Sequence, residues 1–140
     1  MKLILDTHRA QMIANFADET RDHAPVVKLF CPWGAATWLL YAMPEDDPGL
    51  VLGLCDLGLG FPELGYASLD EIASLRGPGG LRIERDLHFT AAASIEVYAE
   101  AARGAERIVE DRASLEAAFA LLEARAKREK RTLKAFMVEG

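Results

Sequence analysis

A chain of 140 residues, 51% apolar and 27% charged, has the size and make-up of one globular domain, not of a disordered polymer. No apolar run approaches the ~20 residues of a bilayer-crossing helix, so no membrane association is expected. The formal charge of −6 is uneven: residues 1–123 hold ten Lys/Arg against twenty Asp/Glu, and residues 124–140 hold six against two. An acidic body repels duplex nucleic acid, which leaves only the basic tail for phosphate contacts.

The apolar start Leu3-Ile4-Leu5 stops at Asp6, too short for a secretory leader. Helical spacing of Ile13 and Phe16 predicts a short helix over Asp6 to Thr20 with Asp6 as N-cap, broken by Ala24-Pro25. Three apolar, β-prone runs then read as strands: Val26–Cys31, Thr37–Met43 and Leu50–Asp56. Short turns at Pro32-Trp33-Gly34 and Pro44–Gly49 join them, which favours an antiparallel meander. Glu63–Ala67 makes a short fourth strand after a Gly-rich loop. Ser68 and Glu71 have capping-box spacing for a small helix that Gly77-Pro78-Gly79-Gly80 must end.

Leu81 to Phe89 alternates, which predicts a fifth strand with Ile83, Arg85 and Leu87 on one side and Glu84, Asp86 and His88 on the other. Ser94 caps a helix to Arg103, and Asp111 or Ser114 opens a longer one. The apolar stripe Leu115, Phe119, Leu122, extending toward Leu133 and Phe136 or Met137, is a helix seam open to self-docking or to a homodimer. The fold class is therefore α+β: an antiparallel sheet of about five strands, flanking short helices and a C-terminal helical extension. A core domain over 1–108 and a tail over 109–140 are expected.

Five ordered blocks carry a resemblance: Pro32-Trp33-Gly34 through Leu40, Gly53–Gly58, Pro62–Tyr66, Arg76–Leu81 and Ile83–Phe89. Together they resemble a bacterial domain family of unknown function, DUF2958, met in plasmids and integrative conjugative elements, over roughly residues 1–108. The resemblance implies a bacterial cytoplasmic protein encoded on mobile DNA and assigns no catalytic residue; no cofactor is expected. Cys31 and Cys55, read as free buried thiols, agree with a reducing compartment.

Candidate site residues fall into three groups. Glu84, Asp86 and His88, helped by Asp56 and Glu63 from other strands, have donor types suited to acid–base or metal-assisted hydrolysis. Same-face neighbours on one strand stand about 6.6 Å apart, so the three alone cannot surround an ion, and a solvated face salt-bridged with Arg82 is the favoured reading of them. No metal site is therefore assigned. Arg85 on the apolar side needs a partner, with Asp56 the expected one, either as a register-fixing pair or as an anion pocket. Trp33 and Tyr66, aromatics at a turn and a strand, are the expected anchors for a protein partner. A non-catalytic binding module is the leading reading. A small hydrolytic enzyme and nucleic-acid contact through the tail stand as alternatives.

Overall fold

The computed structural model describes residues 1–139, and the side chains of residues 1–130. Helix α1 (Asp6–Ala17) precedes strands β1 (Val27–Phe30), β2 (Thr37–Ala42), β3 (Leu50–Asp56) and β4 (Glu63–Ser68). Helix α2 (Leu69–Ser74), a 3-10 turn (Pro78–Gly80) and strand β5 (Glu84–Arg85) follow, then helices α3 (Ile95–Ala105) and α4 (Arg112–Glu139). All strand pairs are antiparallel, in the order β4-β3-β2-β1-β5, so the fold is α+β. No helix among the described residues is long and apolar enough to cross a membrane.

Both faces of the central strands are apolar, so helices must cover both. On one face Val27, Leu29, Trp38, Leu40 and Val51 pack with Met12 of α1, Ile72 of α2 and Ile83. On the other, Leu39 and Leu54 pack beneath Tyr98 and Ala102 of α3 and Leu115 and Ala118 of α4. The opening turns of α4 thus belong to the core. Of the seam residues, Leu115 is buried and Leu122 packs against the core, whereas Phe119 points outward. Leu133, Phe136 and Met137 lie outside the residues whose side chains are described.

Local chemistry explains most boundaries. Ser68 Oγ accepts the Glu71 N–H and starts α2; Ser94 Oγ accepts the Val97 N–H and starts α3. Helix α1 departs from expectation: its N-cap is Leu5, whose N–H donates to His8 Nδ1 at 3.1 Å, and Asp6 lies inside the first turn. Its end comes at Ala17, where the Asp18 N–H bonds back to the Asn15 carbonyl.

The fifth strand is the main correction. Alternation predicts nine residues, but β5 contains only Glu84 and Arg85. The ladder ends where the Asp86 carboxylate turns back to accept the His88 N–H (2.9 Å), and the Phe89 N–H bonds the Asp86 carbonyl. Ile83 stays buried beside β1, but Leu81 and Leu87 are exposed and Phe89 joins the opposite core.

A bare sheet edge beside an acid-rimmed hollow

Strand β4 is one margin of the sheet. The Leu69 N–H donates to the Gly49 carbonyl at 2.9 Å, and this bond sets the parity of the β3–β4 ladder. Glu63, Gly65 and Ala67 turn their main-chain groups toward β3, so Leu64 and Tyr66 turn theirs to solvent. Exposed apolar side chains surround those groups: Phe61 is 79% accessible, Tyr66 59% and Leu64 45%. Leu57 and Leu59 in the β3–β4 turn are exposed as well. Scattered apolar residues are ordinary on a surface, but five of them gathered on one free edge and the turn leading into it are not.

The opposite margin is closed. The N–H of Arg85 meets Met1 Sδ at 3.2 Å, and its guanidinium donates to the Lys2 carbonyl. The chain's own N-terminus therefore covers β5.

Inboard of Tyr66 lies a hollow of about 260 Å³ between the end of α1, the start of α3 and β2–β4. Tyr41, Leu52 and Tyr66 floor it, and Asp18, Glu19, Asp22 and Glu96 rim it, with Arg21 and His23 alongside. The Asp22 carboxylate accepts the Glu96 N–H at 3.3 Å. No ion pair ties Glu19, Asp22 or Glu96 to a Lys or Arg among the described residues. Burial, and after it Tyr66 and the carboxylates of Glu96, Asp22 and Glu19, push the Tyr41 phenol above its ordinary value. A larger groove of about 820 Å³ runs between α3, α4 and residues 92–94. Of the charges that line it, Arg112 is paired with Glu116 and Glu110 with Lys28, and Asp22 is shared with the smaller hollow.

The remaining candidates are dispersed. Glu63 on β4 and Glu84 on β5 occupy opposite margins, four strand spacings of about 4.8 Å or roughly 19 Å apart. Among the described residues no group of three or more His, Cys, Asp or Glu is placed to hold a metal ion. Asp86 stands 3.6 Å from Lys28 Nζ, in a cluster that Glu110 completes at 2.6 Å, and His88 is exposed. Asp56 is buried and accepts two main-chain N–H groups, Gly58 at 2.8 Å and Ile108 at 2.9 Å. It fastens the α3–α4 linker to the sheet and lies three strands from Arg85, so the two do not pair. Trp33 is half-buried, and its ring lies against Gly77. Tyr66, expected from the sequence as a surface aromatic, is exposed, whereas Leu64 and the hollow were not anticipated. The alternation of Leu64 with Tyr66 was a readable signal, whereas the rim comes from segments more than 70 residues apart.

An antiparallel α+β domain with one open edge is the class that fold and surface define. More particularly, the model for the family "Protein of unknown function (DUF2958)" matches residues 3–109, and the chain belongs to that family. No curated protein and no solved structure matches it.

Proposed function

We propose that the chain is a non-catalytic accessory protein that binds another protein through the β4 edge and Tyr66. The observation that carries this reading is the coincidence of outward main-chain groups at Leu64 and Tyr66 with exposed Phe61, Leu64 and Tyr66 side chains. An added strand satisfies the first and covers the second. The cytoplasmic, mobile-element setting belongs to the same proposal, supported by the family resemblance and by the unpaired thiols of Cys31 and Cys55.

Affinity capture from a host extract on wild-type protein, on Leu64→Asp/Tyr66→Asp and on Phe119→Asp tests it. Proteins retained by wild type and Phe119→Asp but lost from the double variant are expected. Equal retention by all three, with folding confirmed by circular dichroism, removes the proposal.

A further inference from the structure

We infer that the occupant of the β4 edge is an extended segment bearing Lys or Arg, which adds to the sheet as a sixth strand and projects a basic side chain into the acid-rimmed hollow. The inference rests on the binding reading above and adds the chemistry of the partner.

Parity supplies the geometry. An added strand pairs through the main chain of Leu64 and Tyr66, whose side chains stand on the same face as Leu52 and the hollow. One strand spacing of about 4.8 Å separates the newcomer from β4, a distance that a Lys or Arg side chain spans. Its residues on that face meet Asp18, Glu19, Asp22 and Glu96. Those on the opposite face pass over Gly65, where a Cβ would meet nothing within 4 Å, and this gap receives a branched apolar side chain. Alternation of basic and β-branched residues is therefore the pattern that fits. Charge also argues against a second copy in this place. Body meeting body brings two surfaces that each hold ten Lys/Arg against twenty Asp/Glu over residues 1–123.

The probe is a nine-residue peptide of alternating Val and Lys, compared with the same length of alternating Val and Glu. Both are titrated into full-length protein while amide hydrogen exchange and fluorescence anisotropy are followed. The Val–Lys peptide is expected to bind and slow exchange at the Leu64 and Tyr66 amides. It should lose affinity as salt rises, and Val–Glu should bind about ten-fold more weakly or less. Tyr66→Pro removes one outward N–H without touching the β3 ladder, so it should fold and abolish binding. Asp22→Asn with Glu96→Gln should weaken Val–Lys alone. Equal binding of both peptides overturns the basic partner while leaving the edge reading intact. Failure of the Val–Lys peptide to protect Leu64 and Tyr66 overturns strand addition. Protection of those amides by self-association, seen in sedimentation without peptide, replaces the basic segment with a second copy.

Discussion

Replacing Asp56 by Ala tests the best-defined polar contact in the molecule. The carboxylate is 3% accessible and receives the Gly58 and Ile108 N–H groups at 2.8 and 2.9 Å. Hydrogen bonds to an ionised partner contribute about 1.5–3 kcal/mol each, and their removal here strands two donors. Partial relaxation and water entry trim the sum, so Asp56→Ala should cost about 3–5 kcal/mol in urea denaturation. At this chain length that corresponds to a melting temperature lower by roughly 10–15 °C. Asp56→Asn retains one carbonyl oxygen and should cost about half as much. Amide exchange at Ile108 should accelerate in both, because the linker between α3 and α4 comes loose. Since Arg85 bonds the Lys2 carbonyl and not Asp56, Arg85→Ala and Asp56→Ala should add within about 0.5 kcal/mol in the double variant. A cost below about 1 kcal/mol for Asp56→Ala, or strong coupling to Arg85, refutes this account.

Two glycines make steric predictions that differ in severity. A Cβ at Gly53 would overlap the Leu39 carbonyl oxygen, so Gly53→Ala must part β2 from β3 and should cost about 3 kcal/mol or more in the same assay. At Gly77 the obstacle is the Trp33 ring, which can tilt, and about 1–3 kcal/mol is expected, with a change in Trp fluorescence. The His8 pKa is lowered by burial and then by Arg85, and its Nδ1 accepts the Leu5 N–H. Its protonation therefore opposes folding: the contribution is complete above the unfolded value of about 6.5 and is lost as pH falls through the lower folded value. An NMR titration should place the His8 midpoint below that of an unfolded peptide, and Arg85→Gln should move it upward. The Glu100 carboxyl is lowered chiefly by its hydrogen bond from Arg125 at 2.9 Å, so its contribution is present above the ordinary glutamate range and fades as pH falls through the depressed value. Arg125→Ala should raise the Glu100 midpoint in a carboxyl-carbon titration.

What was legible in the sequence was whatever depends on near neighbours. The strand Leu50–Asp56 was predicted end to end, because an apolar run bounded by Pro48-Gly49 on one side and Gly58 on the other has no competing local structure. Ser68 and Ser94 cap as predicted for the same reason: the bond spans three residues. The fifth strand shows where that logic stops. Leu81–Phe89 has the right period, yet a strand is only as long as its neighbour permits. Here β1 is four residues between Pro25 and Pro32. Asp86 then offers its own carboxylate to the main chain, and the ladder ends. The partner of Arg85 was equally hidden, since the Lys2 carbonyl is 83 residues away.

The unequal treatment of the two sheet margins is the deeper reason for placing function at β4. Free edges invite unwanted pairing, and chains blunt them with short strands, charges, bulges or covering segments. β5 is blunted twice, by its two-residue length and by Met1 and Lys2. β4 is six residues long and carries its one charged residue, Glu63, at the very start; Leu64 to Ala67 is apolar throughout. On the α3 face the helical cover reaches Leu39 and Leu54 but leaves Leu64 and Tyr66 exposed. On the other face Gly65 leaves a gap. Core packing cannot account for exposed residues, and the ladder to β3 would form equally well with polar side chains on the solvent side. Leaving Leu64 and Tyr66 there carries an aggregation hazard that the proposed basic strand-forming partner would remove, and the acid-rimmed hollow beside them would supply the selectivity for its charge.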